Sequence, residues 1–337
     1  MFRQDRTNPS TAVANWRGRH DTPKAWPSTA ISTWLNGGLF GGAVSPAGYF
    51  FGGYNGHASG LYATVDKLSF ADDSMTTLGT GLSAALRYTG GFASTVAGYC
   101  GGGDYAATDA VDRFVFADDS RTTLGTGISV ANWGLAGMAS PVAGYFGGGK
   151  TAASGRVATV DRFLFSNDSR TTLGTGLSDT LNDLAAMASS VAGYFGGGSD
   201  GSRVDTVDRF LFSNDSRTTL GTGLSAATYH LAGMASPVAG YFGGGRTSAG
   251  WVATVDRFLF SNDSRTTLGT GLSAATSYLS AMGGPLAGYF GGGSDGGSPP
   301  DVTTVDRFLF SDDSRTTLAT GLSVARQDLC GAGQQSA

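Results

Sequence analysis

The sequence contains no glutamate, and it has only three lysines, at positions 24, 67 and 150. Both residue types are strong helix formers, so their scarcity argues against a helical protein. Threonine, valine, phenylalanine, glycine and aspartate are abundant instead, a mixture typical of strands and tight turns. The composition therefore predicts an all-β protein.

The chain also lacks an excess of basic over acidic residues, and it lacks long apolar runs. Its net charge of −4 gives no support for a nucleic-acid partner, which would require a basic surface. No apolar run approaches the roughly 18 residues of a membrane-spanning helix. The first ten residues, MFRQDRTNPS, lack the apolar core of a secretion signal. We therefore expect no nucleic acid, no membrane insertion and no signal peptide.

Residues that commonly carry chemistry are few. Two cysteines exclude a disulfide scaffold, and because Cys100 and Cys330 fall at different positions of the repeat described below, no bond between them is expected. His20, His57 and His230 share no metal-ligand spacing. No nucleophile stands beside a base in a recognisable motif. The sequence predicts neither an enzyme, nor a metal site, nor a cofactor.

A repeated unit makes up most of the chain. The anchor AGY recurs with its glycine at positions 48, 98, 144, 193, 240 and 288, at spacings of 50, 46, 49, 47 and 48 residues. A period of this length is typical of solenoids and propellers. Each unit divides into a small-residue segment (LAGMAS), AGYF before a glycine triplet, TVDRFLF, an NDS turn and RTTLGTGLS. Four short antiparallel strands per unit predict a β-propeller blade, with the small-residue strand innermost, where space is least.

The order of these segments resembles kelch repeats: a second strand that ends in glycines, a V-x-x-F third strand and then a fourth strand. The chain departs from kelch units at the start of the fourth strand, where Leu173 replaces the usual tryptophan. The wording GYFGGG…TVDRF…FSNDS also resembles repeats in virion proteins of tailed bacteriophages, particularly phages of cyanobacteria. The resemblance implies a virion location and a structural or attachment role.

The number of blades depends on the two ends. LCGAG, beginning at Leu329, aligns with LAGMA at Leu135 and forms a surplus first strand. We predict a single propeller over residues 1–337 with seven blades. Residues 37–327 form six near-identical blades, and 328–337 close a seventh together with a divergent segment, 1–36. The alternative is six blades with residues 1–36 as a docking arm bearing Trp16, Trp26 and Trp34.

The repeats differ from one another in two places. The loop between the second and third strands varies in length, and the linker from the fourth strand to the next blade varies in residue type. In an antiparallel blade both emerge on one face, which we call the varied face. Loops on a rigid scaffold commonly carry binding, whereas neutral drift is the alternative explanation. The candidate binding residues are Tyr54, His57, Tyr62, Arg87, Tyr88, Tyr105, Trp133, Tyr229, His230, Trp251 and Tyr278.

Residues that recur unchanged in every unit suggest a structural role. The aspartate of TVDR occurs in all six units, and a catalytic residue is needed only once. We expect these carboxylates to accept hydrogen bonds from turn amides or to pair with an arginine between blades.

These observations lead to three functional hypotheses. The first is a non-enzymatic component of a phage tail, fibre, neck or baseplate, whose partners are other virion proteins, a host-surface glycan or protein, or further copies of itself in a symmetric assembly. The second is a free kelch-like module that binds protein or carbohydrate. The third is a propeller hydrolase, which a unique carboxylate clustered with arginine at the central channel would favour.

Overall fold

The computed structural model describes residues 46–56, 60–153, 155–298 and 300–335. Over these residues the chain forms six four-stranded antiparallel sheets and two small hairpins. The fold is an all-β propeller in which each sheet is one blade. The proposed arm or partial blade over residues 1–36, with its three tryptophans, lies outside the described residues.

The strands occupy four positions in each blade, as the repeat predicts. The innermost strands are β6 (Gly90–Ala93), β10 (Ala136–Ala139), β14 (Ala185–Ala188), β18 (Ala232–Ala235), β24 (Ser280–Gly283) and β28 (Cys330–Gly333). The second strands are β1 (Ala47–Phe51), β7 (Ala97–Gly101), β11 (Ala143–Gly147), β15 (Ala192–Gly196), β19 (Ala239–Gly243) and β25 (Ala287–Gly291).

The outer half of each blade follows the same repeat. The third strands are β4 (Val65–Ser69), β8 (Val111–Val115), β12 (Val160–Leu164), β16 (Val207–Leu211), β22 (Val255–Leu259) and β26 (Val305–Leu309). The fourth strands are β5 (Met75–Thr77), β9 (Arg121–Thr123), β13 (Arg170–Thr172), β17 (Ser216–Thr219), β23 (Arg265–Thr267) and β27 (Arg315–Thr317). The hairpins pair β2 (Tyr54–Asn55) with β3 (Gly60–Leu61), and β20 (Arg246–Thr247) with β21 (Gly250–Trp251).

The prediction of seven blades is wrong: the described residues form six. The surplus strand β28 pairs with β1, with Phe51 opposite Cys330 and Gly48 opposite Gly333, and the sheet order is β28-β1-β4-β5. This last strand lies between β24 and β6, in line with the other innermost strands. The unit that starts at β1 therefore takes its first strand from the end of the chain, whereas the predicted boundary at residue 37 lies outside the described residues.

Small residues let the inner strands approach closely. A Cβ on Gly137, in β10, would lie 2.3 Å from the backbone carbonyl oxygen of Gly91, in the innermost strand of the neighbouring blade, so a larger residue would push the two strands apart. The glycine triplet ends the second strand for a different reason. Gly148 and Gly149 adopt φ of 71° and 109°, which glycine reaches without steric cost.

Each blade is joined to the next by a buried aspartate on the third strand. In the third blade Oδ1 of Asp161 accepts a hydrogen bond from the Thr172 hydroxyl at 2.6 Å, and Oδ2 accepts one from the backbone N–H of Ser129, in the preceding linker, at 2.6 Å. The same pair of bonds recurs in the other five blades. The recurring aspartates are Asp66, Asp112, Asp208, Asp256 and Asp306. The expectation that these carboxylates accept bonds from turn amides is confirmed.

In the first blade, the positive charge near the third-strand aspartate comes from a different part of the chain. Met75 stands where the other fourth strands carry an arginine, which in three blades pairs with the third-strand aspartate at 3.3–3.4 Å. In the first blade the fully buried Arg326 reaches Asp66 at 3.0 Å instead. Burial would raise the pKa of Asp66, but Arg326 and the hydrogen bonds from Thr77 and Ser323 hold that pKa below its ordinary value. The cation therefore comes from the linker that precedes β28.

A second contact between blades uses the NDS turn. The hydroxyl of Tyr145 donates to Oδ1 of Asp215 at 3.2 Å, and Arg162 pairs with Oδ2 of the same carboxylate. Asp215 has a left-handed φ of 54°, which aspartate tolerates better than most residues. The equivalent tyrosine, basic residue and aspartate meet at all six blade boundaries.

We predict that Asp161→Ala destabilises the protein by about 1–3 kcal/mol, because it removes the buried carboxylate that accepts from both the Ser129 amide and the Thr172 hydroxyl. Asp161→Asn keeps one acceptor and should fall between this variant and the parent. The exposed Asp179 provides the control, since Asp179→Ala should change the free energy of unfolding by less than about 0.5 kcal/mol. Chemical denaturation measures all three, and equal stabilities for Asp161→Ala and Asp179→Ala would contradict the role of the buried aspartate.

Candidate functional site: the axial mouth of the varied face

The two variable segments lie side by side on one face. The N–H of Trp133, in a linker, donates to the carbonyl of Lys150, in a loop between second and third strands, at 2.9 Å, and the reverse bond measures 2.7 Å. Matching bridges join Tyr54 to Gln327, Thr108 to Asn132, Asn182 to Ser199, Tyr229 to Arg246 and Ser277 to Ser294. The shared face expected from strand alternation is confirmed.

Six residues form a ring around the propeller axis on this face. Each stands shortly before an innermost strand, and each backbone N–H donates to the carbonyl of its counterpart in the preceding blade at 2.7–2.9 Å. All six have a left-handed φ, between 54° and 68°. We call them the mouth ring: Tyr88, Gly134, Asp183, His230, Tyr278 and Asp328. The identical backbone geometry places six different side chains at one point, the mouth of the axial channel.

Three aromatic rings meet across this mouth. The His230 and Tyr278 ring centroids are 3.9 Å apart, and Tyr88 lies 6.3 Å from His230 and 6.5 Å from Tyr278. The cluster extends outward through Trp133, which lies 5.2 Å from Tyr88 and 4.9 Å from Tyr105. Much of the predicted aromatic set is therefore one continuous surface centred on the axis.

Cationic side chains stack on the outer rings. The Arg87 guanidinium lies 4.0 Å from the Tyr105 centroid and 4.5 Å from that of Tyr54. The other stacked pairs are Lys150 on Trp133, Arg203 on Tyr229 and Arg246 on Trp251. These pairs give the varied face an aromatic surface bordered by positive charge.

Two carboxyl groups face each other across the mouth. Asp183 and Asp328 occupy opposite positions of the ring, and the Asp183 side chain is 8% exposed while Asp328 is 5% exposed. Oδ1 of Asp183 and both oxygens of Asp328 have no hydrogen-bond partner of normal geometry among the described residues. Oδ2 of Asp183 accepts a bond from Asn182 at 2.5 Å. Gly134 makes room for this arrangement, because a Cβ there would lie 2.6 Å from Oδ1 of Asp183.

Burial shifts the titration of these groups. It raises the pKa of Asp183 to about 7, against the opposing charges of Arg156 and Lys150. Burial also raises the pKa of Asp328 well above its ordinary value, and the charge of Asp183 adds to this effect. The pKa of His230 falls to about 3, first through burial and then through nearby arginines, so its imidazole is neutral at pH 7.

The mouth is a shallow cup of about 80 Å³. Its wall is the mouth ring. The residue that follows each ring member forms its floor: Thr89, Leu135, Leu184, Leu231, Leu279 and Leu329. The cup therefore combines an apolar floor, three aromatic rings and two carboxyl groups.

The opposite end of the axis has a larger cavity of about 380 Å³, but its chemistry is uniform. Glycine, alanine, methionine, proline and serine line most of it, and they come from nearly identical turns. Exposed aliphatic residues, including Val142 at 68% and Leu286 at 76%, occupy these turns. The repeat is interrupted by Phe92, Thr95, Gln334 and Gln335. No charged side chain of the described residues lines this cavity, however, so it is a poorer candidate for specific recognition.

The predicted site residues fall into three groups. Tyr54, Arg87, Tyr88, Tyr105, Trp133, Tyr229, His230 and Tyr278 are joined through ring and cation contacts. Trp251 stands apart with Arg246 against the loop at Gly296, and Tyr62 is half-buried near Arg326. His57 lies outside the described residues.

Sequence reasoning missed Gly134, Asp183 and Asp328 as site residues. These residues occupy equivalent positions of the repeat, directly before the predicted first strand. Comparing that position across the six units would have identified the mouth ring. In the part of the chain described here, no group of three or more histidine, cysteine or acidic side chains is arranged to hold a metal. The same residues include no helix long and apolar enough to cross a bilayer.

Comparison with known proteins supports the fold alone. No protein-family model matches the chain, and no curated protein matches it. The solved structure of YjhT is similar, with a TM-score of 0.62 and 14% sequence identity. The similarity covers 77% of this chain and 93% of that one. At this identity the likeness shows a shared propeller fold, and it carries no statement about activity.

We predict that Asp183→Asn stabilises the protein increasingly from pH 4 to pH 7. Because the folded-state pKa is about 7 and the ordinary value is 3.8, the unfolded chain releases this proton first and folding loses free energy as the pH rises through that window. Melting temperatures of both proteins across pH 4–8 measure the effect. Asp179→Asn, on the surface, should show no such trend, and a constant difference between Asp183→Asn and the parent would refute the assignment.

Proposed function

We propose that the protein is a non-enzymatic binding module that recognises its ligand through the varied face, centred on the mouth ring. The observation that carries the proposal is the convergence of the variable aromatic residues on the axis. The scaffold repeats almost unchanged, whereas Tyr88, Trp133, His230 and Tyr278 occur once each and meet there. Aromatic residues and arginine on a rigid support are the usual anchors of an interface.

We further propose that the module belongs to a phage virion, as a tail, fibre, neck or baseplate component. The support is the resemblance of the GYFGGG…TVDRF…FSNDS repeats to virion proteins of tailed bacteriophages. Its partners in this role are a host-surface glycan or protein on the varied face and other virion proteins elsewhere. The alternative is a free kelch-like module that uses the same face inside a cell.

A propeller hydrolase is the second candidate function. It is favoured by Asp183 and Asp328, two unique carboxyl groups near Arg87 at the axis. Burial raises the pKa of both groups, and a carboxyl that stays protonated near neutral pH can serve as a general acid. The cup is too small to surround a scissile bond together with both of its flanking groups, which is why binding remains the preferred function.

We predict that Trp133→Ala weakens binding to host cells and to an immobilised glycan array by at least ten-fold, since it removes the ring that joins Tyr88 to Tyr105. Leu286→Ala, on the uniform face, is the matched control and should bind as the parent does. Melting temperatures verify that both variants fold. Loss of binding in Leu286→Ala with full binding in Trp133→Ala would overturn the choice of face. Absence of the protein from purified particles by mass spectrometry would reject the virion role alone.

A further inference from the structure

The cup at the axis holds buried acceptors that the described residues leave without donors. We infer that it receives a single organic ammonium group, primary or methylated, between Asp183 and Asp328 and against the rings of Tyr88, His230 and Tyr278. The inference deepens the proposed function and rests on it, because the ligand would present this group at the varied face.

The carboxyl groups in the cup have unmet hydrogen-bonding capacity. Three carboxyl oxygens, one on Asp183 and two on Asp328, lack a donor at normal geometry within the described chain. Nδ1 of His230 lies 3.6 Å from Oδ1 of Asp183, beyond hydrogen-bond length, and the Tyr88 hydroxyl makes only a weak contact that lowers the pKa of Asp328. An unpaired buried carboxyl costs a protein free energy, and such groups usually have a specific explanation. A ligand that brings N–H donors or a positive charge supplies the missing partner.

Aromatic rings form part of the wall of the cup. Faces of aromatic rings attract cations, and rings grouped around one point are the known means of holding methylated ammonium groups. His230 belongs to this wall as a neutral ring, because burial keeps it unprotonated at pH 7. Tyr278 lies 3.9 Å from it, and Tyr88 faces both.

Size and ligand number exclude other occupants. An enclosed cavity of about 150 Å³ holds benzene, so the open cup of about 80 Å³ can enclose a small head group but not a whole sugar ring. Two carboxyl groups without a third ligand are a poor site for a metal ion, and the described residues offer no such third group.

The surrounding charges moderate the site. The charge of Arg87 lowers the pKa of Asp328. The Arg87 guanidinium stacks on the rings of Tyr54 and Tyr105, and its Nε lies 3.8 Å from the Asp104 carboxylate. The negative charge of nearby Asp301 raises the pKa of Asp328.

On the opposite side, the charges of Arg156 and Lys150 lower the pKa of Asp183. The charges of Arg246 and Arg203 lower the pKa of His230. Lys150 is stacked on Trp133, and Nε of Arg156 donates to Asn182 at 2.7 Å. These cations have partners of their own outside the cup, so they lower the affinity for a cation without occupying its place.

Binding should be linked to protons. An ammonium group prefers ionised carboxylates, so its arrival drives protons from Asp183 and Asp328 into solution. Affinity should therefore rise with pH between 5 and 8. His230, with its low pKa, stays neutral through this range and contributes no proton.

Tetramethylammonium chloride is the probe, titrated into the full chain by calorimetry at constant ionic strength with sodium chloride. We expect saturable binding at pH 8 and at least ten-fold weaker binding at pH 5. Phosphate and cacodylate buffers, which contain no ammonium group and differ in ionisation enthalpy, should give different apparent enthalpies at pH 6.5, because protons are released. Asp328→Asn should weaken binding at least ten-fold, and Asp179→Asn should leave it unchanged.

The outcomes separate the two proposals. Absence of saturable binding in the parent at pH 8, or equal affinity in Asp328→Asn, overturns the ammonium site. Because Asp328→Asn removes an unpaired buried carboxyl, a melting temperature at or above that of the parent verifies that it folds. If Trp133→Ala still loses host or glycan binding while the ammonium probe fails, the binding face stands and only its ligand chemistry is wrong.

A second, independent inference concerns the two cysteines. The two thiols, between which the sequence predicts no bond, are free and buried, yet Sγ of Cys330, on β28, lies 3.3 Å from Sγ of Cys100, on β7. They occupy different repeat positions, but the innermost strand of one blade packs against the second strand of the next. We propose that oxidation joins them and fastens the last strand to the neighbouring blade.

The reaction is a thiol–disulfide exchange. Oxidised glutathione accepts the two electrons and two protons of the Cys100 and Cys330 thiols, which leaves one protein disulfide and two molecules of reduced glutathione. Burial raises the pKa of the Cys100 thiol, so the thiolate is scarce and the exchange should be slow. The closed loop would span 230 residues, and a long loop favours a large stabilisation in the chain-entropy account.

Incubation of the folded chain with oxidised glutathione at pH 8 tests this latch. We expect the thiol count to fall from two to none, the intact mass to fall by two hydrogens, and the melting temperature to rise by several degrees until dithiothreitol reverses it. Cys330→Ala should retain one thiol and show no rise. Persistent thiols, a mixed disulfide with glutathione, or a lower melting temperature after oxidation would each contradict the proposal.

Discussion

The buried aspartate of the third strand is the contact on which the ring depends. One oxygen accepts from a threonine within the blade, and the other accepts from a backbone amide of the preceding linker, as at Asp161 with Thr172 and Ser129. A single carboxylate therefore holds the fourth strand of its own blade and the chain that enters from its neighbour. Because the bond recurs at every boundary, including Ser323 to Asp66, the last linker meets the first blade as every other linker meets the next.

That dependence explains how far the sequence could predict the fold. The periods of AGY and TVDRF were enough for strands, turns and blades, because each blade repeats the same local hydrogen bonds. The blade number was not accessible in the same way. β28 and β1 pair across nearly the whole described chain, and nothing near Leu329 indicates whether its partner lies at Ala47 or before residue 37. Pairing between distant strands is set by ring geometry, which a local pattern does not contain.

The site was predictable in composition and not in arrangement. Tyr88, Trp133, His230 and Tyr278 stood out because they interrupt a repetitive background. Their convergence follows from backbone bonds such as His230 N–H to the Asp183 carbonyl, which bring one position of every repeat to the axis. Asp183 and Asp328 were missed because an aspartate in a loop is ordinarily a solvated turn residue. Only the ring reveals that these two are buried opposite each other.

Near-identical blades present near-identical surfaces, which offer little basis for recognising one particular ligand. The mouth ring differs, because its six equivalent positions carry different side chains. Six equivalent positions hold two tyrosines, two aspartates, a histidine and a glycine, while the backbone around them keeps one conformation. Substitutions at these positions change the chemistry of the axis without altering the bonds that join the blades. The glycine contributes as much as the charged residues, since a side chain at Gly134 would displace the Asp183 carboxyl. Recognition and scaffold are thus carried by separate residues of the same repeat, which lets the unpaired carboxyls persist in a fold whose other recurring aspartates are fully bonded.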